Sequence, residues 1–383
     1  MQTKKLYYED CRMTQFAARV CSCSQGKKGW EVVLDATAFY PEGGGQPCDL
    51  GTLGDTTVVD VFERGEQVVH LCREPLEEGS QVSGAIDWER RFDFMQQHTG
   101  EHIVSGLIHA AYGYHNVGFH MGADVVTMDF DGPLTMQQLK IIEKEANRAV
   151  WQDIPVKCWY PEETELPSVQ YRTKKQLPWP VRIVQVPGYD SCACCGVHTA
   201  TSGQVGVIKL LSCVKFHEGV RIEMVCGGRA LELLDRVYEQ NRQVSQAFSA
   251  KILETGSAAQ RMNEQLAGEK FRADTLEKKL FDAIARDYRD QGDVVYFADG
   301  LKNTSVRELA DRIARVCGGT AAVFSGSDAE GYTVCIVSQT DDLKALGAKL
   351  NRELQGRGGG KPGFFQGSVR AEKERILAFF GNL

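Results

Sequence analysis

The run Phe92-Asp93-Phe94-Met95-Gln96-Gln97-His98-Thr99-Gly100-Glu101-His102-Ile103 marks where the chain changes character. Upstream the sequence reads as short β-type runs, and here a helical period begins. Phe92, Met95, Ile103, Leu107 and Ala111 recur mostly at helical spacing, which gathers apolar side chains on one face. Gly113 ends the pattern. Inside the helix His98 and His102 stand four residues apart. That spacing puts two imidazoles on one face, about 6 Å apart, and suits two neutral nitrogens on one tetrahedral zinc ion. His109 follows the same stripe but lies about 10 Å further along the axis, too far to share the ion, and reads as a groove histidine.

Working outward, Val32-Val33-Leu34, Thr57-Val58-Val59 and Gln67-Val68-Val69-His70-Leu71 are strand-like, separated by Gly- and Asp-rich punctuation. Residues 1–90 therefore predict a small β-barrel domain. Within them Tyr40-Pro41-Glu42-Gly43-Gly44-Gly45-Gln46-Pro47 forms a loop whose glycines permit close backbone approach to a ligand. It has neither P-loop nor dinucleotide-binding spacing, and by itself reads as a tight turn. Downstream, residues 124–130 alternate like a half-buried strand and 138–151 like an amphipathic helix. Helices on one side of an antiparallel sheet make an α+β domain, extended here over 91–228. Residues 229–286 are helical and charged, interrupted at Glu254-Thr255-Gly256-Ser257, and predict a coiled-coil arm. Residues 292–383 alternate strands with helices, an α/β domain with a glycine-rich stretch at 356–363.

A second chemical cluster is Cys192-Ala193-Cys194-Cys195-Gly196-Val197-His198. Paired with the histidines at 98 and 102 it completes the usual four ligands of a zinc site. Spacing leaves two choices, Cys194 as Cys-x-x-x-His or Cys195 as Cys-x-x-His, with Cys192 or Cys195 a spare buried thiol. The chain has 13 cysteines and no signal-peptide pattern at its start, so a disulfide framework is not expected. No apolar run approaches the roughly 20 residues of a membrane span, and a cytoplasmic enzyme with no membrane partner is the default. The net charge of −7 excludes an indiscriminate nucleic-acid binder. Residues 292–383, however, hold 12 Lys/Arg against 11 Asp/Glu, which is +1. An RNA partner would be gripped by a local patch.

Taken in order, Phe39-Tyr40-Pro41-Glu42-Gly43-Gly44-Gly45-Gln46-Pro47, His98-x-x-x-His102, Val117-Gly118-Phe119-His120-Met121-Gly122 and Cys194-Cys195-Gly196-Val197-His198 resemble the editing domain of alanyl-tRNA synthetase and its free-standing relatives, the AlaX proteins. The arm and Gly358-Gly359-Gly360-Lys361-Pro362-Gly363 resemble that synthetase's C-terminal extension, so the likeness is to the long form and covers nearly the whole chain. It implies zinc held by His98, His102, Cys194 and His198, and hydrolysis of serine, or glycine, wrongly esterified to tRNA(Ala). The family motif reads Cys-Gly-Gly-Thr-His, which selects Cys194 as the ligand; Cys195 and Val197 depart from it. By the same resemblance Thr37 contacts the serine hydroxyl, and Gly43, Gly44, Gly45 and Gln46 are candidate substrate contacts. Glu101 and His120 are the candidate catalytic groups, Glu101 either as a general base or as a partner that holds an imidazole. Arg357, Lys361 and Arg370 are the candidate tRNA contacts. The arm or the C-terminal domain is a candidate homodimer surface. Two rivals remain: a zinc-stabilised tRNA-binding protein without catalysis, and a zinc peptidase, since His98-x-x-Glu101-His102 fits the inverted protease motif.

Overall fold

In the computed structural model, residues 2–173, 177 and 179–381 are described. The chain forms two compact units, Met1–Gln243 and Val244–Leu383. The architecture is mixed α and β, with seven helices among the described residues.

In the first unit six antiparallel strands close into a ring, in the order 15–25, 30–34, 67–72, 56–64, 51–53, 81–86. Alternation explains the inside of the ring: Val82, Gly84 and Ile86 are buried while Gln81 and Ser83 face out. Its interior is packed by Val20, Val32, Leu34, Leu53, Val58, Val61 and Val68. Gly51 is obligatory where two strands meet, because a Cβ there would lie 2.1 Å from the Ala85 carbonyl oxygen. The sequence patterning missed the strands at 15–25, 51–53 and 81–86, whose small and polar residues dilute the β signal.

The ring leads into helix α1, Trp88–Tyr112. Asp87 caps it by accepting from the Arg90 amide, and Gly113 ends it in the left-handed conformation at φ 72°. Helix α2, Met136–Trp151, begins with a reciprocal Thr135–Gln138 capping box. Both helices pack on a four-stranded antiparallel sheet, ordered 208–216, 219–226, 126–130, 116–121. Their shared core includes Ile103, Ile108, Met128, Leu139, Ile142, Ile222 and Met224. A separate three-stranded sheet, 157–159, 183–186 and 190–193, ends next to the Cys/His cluster.

Two further helices cover the expected arm, α3 at Gly227–Ala247 and α4 at Thr255–Asp287. Their seam residues Leu234, Val237, Met262, Leu266 and Leu276 are exposed. In the second unit five strands run in the order 292–298, 318–327, 331–338, 364–369, 357–361. The first pair is parallel and is joined across α5, Asn303–Cys317; the other pairs are antiparallel. Helices α6, Lys344–Glu353, and α7, Lys373–Gly381, complete the unit. The glycine-rich stretch contains an edge strand, Arg357–Lys361, paired with Phe364–Val369. Two of its glycines sit against the neighbouring strand: a Cβ on Gly360 would lie 1.9 Å from the Phe364 carbonyl oxygen, and one on Gly358 would lie 2.6 Å from that of Gln366. No described helix is long and apolar enough to cross a membrane.

Candidate metal centre

The site is assembled from three segments. Helix α1 supplies His98 and His102, the turn after strand 190–193 supplies Cys194 and His198, and the glycine loop supplies Gln46. What locks the loop to the helix is Arg91. Its buried guanidinium pairs with the buried Asp49 carboxylate and donates to the carbonyl oxygens of Ala38, Cys11 and Met13. Asp49 in turn accepts from the Tyr40 amide at 2.5 Å. The first turn of α1 is therefore tied to both ends of the segment carrying Gln46.

The four donor atoms of His98, His102, Cys194 and His198 all lie within 4.8 Å of one another. Each imidazole is oriented through its Nδ1. His98 donates to Gln46 Oε1 at 2.8 Å, His102 to Asp190 Oδ2 at 2.8 Å, and His198 faces Thr99 Oγ1 at 3.4 Å. Nε2 of His98 and of His198 each sits 3.5 Å from the Cys194 sulfur. A tetrahedral zinc ion, with bonds of roughly 2.0–2.1 Å to nitrogen and 2.3 Å to sulfur, separates such donors by roughly 3.6 Å. The donor set therefore fits zinc in both chemistry and spacing. Arg172 grips Asp190 with both nitrogens, at 2.7 and 2.9 Å. Burial works against ionisation of Asp190, but the hydrogen bonds from His102 and Arg172 overcome it and hold its pKa below the usual carboxylate value.

The electrostatics point the same way. Burial alone would push the Cys194 thiol up, yet His98 beside it and hydrogen bonds with His102 and His198 draw it well below an ordinary thiol. Burial would lower His102, but Asp190 and Cys194 raise its affinity for a proton well above normal. Burial and the neighbouring His98 push His198 the other way, well below an ordinary imidazole.

Beside the four donors opens a cavity of about 430 Å³, whose wall includes Tyr8, Gly44, Glu101, Asn116, Phe119, Tyr160 and Arg182. Phe119 stacks on the His98 ring, centroids 5.2 Å apart. Glu101 is buried in the wall. One of its oxygens accepts from Ser105 at 2.5 Å and Asn116 at 2.6 Å, and the other lies 4.0 Å from His102 Nε2.

Three family models match the chain: tRNA synthetases class II (A) over residues 2–90, the threonyl and alanyl tRNA synthetase second additional domain over 181–223, and the DHHA1 domain over 291–382. An alanyl-tRNA editing protein of Xenopus laevis is 29% identical over 393 residues, covering 96% of this chain and 95% of the relative. That of Mus musculus is 29% identical over 414 residues, covering 97% of both. Along nearly its whole length, then, the chain is similar to alanyl-tRNA editing proteins. The alanine–tRNA ligase of Thermofilum pendens is also similar, 32% identical over 405 residues, but those span 97% of this chain and only 43% of the ligase.

Not every residue suggested by the resemblance to editing proteins reaches the cavity. Gly44 and Glu101 line it. Gly45, at φ 85°, packs its backbone on Phe119, and Gly43 lies near the Cys195 sulfur. Gln46 is buried and acts on His98: its Oε1 also accepts from the Val197 amide at 3.2 Å. Thr37 does not line the cavity. It is fully buried on the ring side, where its hydroxyl pairs with His70 Nε2 at 2.8 Å and accepts from the Phe39 amide at 3.1 Å. His120 is exposed on strand 116–121 and does not line the cavity either, because it lies on the opposite side of the strand from the buried Met121. Cys195 is exposed rather than a spare buried thiol, and Cys192 is half-buried. His109 bonds the Tyr114 carbonyl at 3.1 Å, in keeping with a groove histidine. Arg357, Lys361 and Arg370 are exposed on and beside the edge hairpin, and Lys361 shares a cleft with Arg307 and Phe364. Asp190, Arg172, Asn116 and Tyr8 went unread in the sequence. Of these only Asp190 carries a local signal, an acid two residues before the cysteine cluster.

Proposed function

We propose that this chain is a zinc-dependent deacylase that acts in trans to hydrolyse serine wrongly attached to tRNA(Ala), with the glycyl ester a second candidate substrate. Relatives named for alanyl-tRNA editing, matched along nearly their whole length, support an editing role. The observation that carries the zinc assignment is the set of three imidazoles, each held at Nδ1 by an oxygen, converging on one half-buried thiol. That arrangement fixes the tautomer which leaves Nε2 free for a metal.

Zinc held by His98, His102, Cys194 and His198 would supply Lewis acidity and an anchor for substrate. An aminoacyl ester on a ribose hydroxyl is already labile, so the protein's own task is mainly positioning. Glu101, with one oxygen tethered by Ser105 and Asn116, takes the proton of the attacking water. Glu101 and Asn116 are also the wall groups suited to pair with a seryl hydroxyl, the role that Thr37, bonded to His70, leaves open. A polar partner there discriminates because a buried unpaired group is costly. Arg357, Lys361 and Arg370 contact tRNA phosphates, residues 229–286 offer a dimer surface, and the working compartment is the cytoplasm.

The test is deacylation of seryl-, glycyl- and alanyl-tRNA(Ala) by wild type, His102→Ala and Cys194→Ala, with zinc content measured alongside. Wild type clears the seryl ester and both variants lose zinc and activity. Turnover that survives in a zinc-free Cys194→Ala protein would overturn the metal assignment. Binding without turnover by wild type would leave an RNA-binding protein, and peptide cleavage a peptidase.

A further inference from the structure

Resting on the deacylase reading, we infer that the exposed ring of Tyr160 is the stacking platform for the base of the RNA's 3′-terminal nucleoside. The cavity beside the metal ligands measures about 430 Å³. That is the size class of a drug-sized ligand, and a seryl group alone would leave most of it unfilled. Whatever else enters must be covalently joined to the ester, and in an aminoacyl-RNA that is the terminal ribose with its base.

The wall is built for such a group. Tyr8 and Tyr160 stand edge to face with centroids 6.4 Å apart, and both line the cavity. Tyr8 is already occupied: the Arg182 guanidinium covers its ring at 4.6 Å, and its hydroxyl donates to the Cys195 carbonyl at 2.8 Å. Among the described residues no guanidinium covers Tyr160, which is 49% exposed. An aromatic ring left open at the mouth of a substrate cavity offers the face on which any base can stack. The wall is also rigidly coupled to the metal ligands. Arg182 donates to the carbonyl oxygens of Cys194 and Gly196 at 2.9 and 2.8 Å, so the distance from platform to ester is set by the fold. Tyr160 is thus a binding residue that positions the ester by holding the base.

Steady-state deacylation of seryl-tRNA(Ala), with the unacylated trinucleotide C-C-A as competitive inhibitor, tests this on wild type, Tyr160→Ala and Tyr160→Phe. Tyr160→Ala, retaining zinc, raises KM and the trinucleotide inhibition constant about tenfold or more, as loss of one base stack does, and Tyr160→Phe restores both. Wild-type values in Tyr160→Ala sink the stacking role while leaving the deacylase reading intact. A wild type that does not clear seryl-tRNA sinks the deacylase reading and this inference with it.

Discussion

Asp190 shows how much a candidate metal centre can depend on a residue outside its four donors. It holds His102 at Nδ1 and is itself held by Arg172. Replacing it by Asn removes the charge from both contacts, and zinc affinity should fall roughly 10–100-fold, read by competition with a chelator of known affinity. An unchanged affinity would make the pair incidental. His70, far from that chemistry, sets an acid limit on the fold. Burial pushes its pKa down to about 4 from 6.5, with Nδ1 donating to the Val32 carbonyl and Nε2 accepting from Thr37. Because the folded value is depressed, the unfolded chain takes the proton first as pH falls. The contribution of neutral His70 is complete above about 6.5 and is lost between there and about 4, amounting to about 3 kcal/mol. Urea midpoints measured across that window should fall in wild type and flatten in His70→Gln. Equal slopes would assign the acid limb to another group.

At the scale of elements, the glycine loop and helix α1 are one mechanical piece because Arg91 and Asp49 are both buried and paired. Arg91→Met would strand the Asp49 charge inside the protein, and breaking such a pair costs about 3–5 kcal/mol. The melting temperature of Arg91→Met should drop clearly, with much of the loss recovered in Arg91→Met/Asp49→Leu. A wild-type melting curve for the single variant would show that the loop is held by other contacts. Neither residue could be read as a pair from its neighbours in sequence, since 42 positions separate them. The edge strand at 357–361 illustrates a different blindness. Consecutive glycines signal backbone freedom when read locally, yet Gly358 and Gly360 are required here because the neighbouring strand and Phe365 leave no room for a Cβ, while Gly359 between them faces open space.

For the whole molecule the open question is where RNA is gripped by a protein of net charge −7. Arg357, Lys361 and Arg370 cluster on one edge hairpin. Each Ala substitution should weaken tRNA binding without altering zinc content and lower the slope of log affinity against log salt by roughly 1. A slope equal to wild type would remove that residue from the interface. The linear order of residues determined the chemistry: an i, i+4 histidine pair recurs on one side of any helix, and a Cys-x-x-x-His turn brings its own two donors close wherever it folds. It also carried the mixed α and β character, through periods of 3.6 and 2. Only the tertiary structure decided which oxygens hold the imidazoles, that Thr37 turns to His70 and His120 to solvent, and that a cavity with an open tyrosine lies beside the four donors. Those outcomes depend on contacts between segments tens to nearly two hundred positions apart, such as Tyr8 to Cys195, and local periodicity holds no information about such pairs.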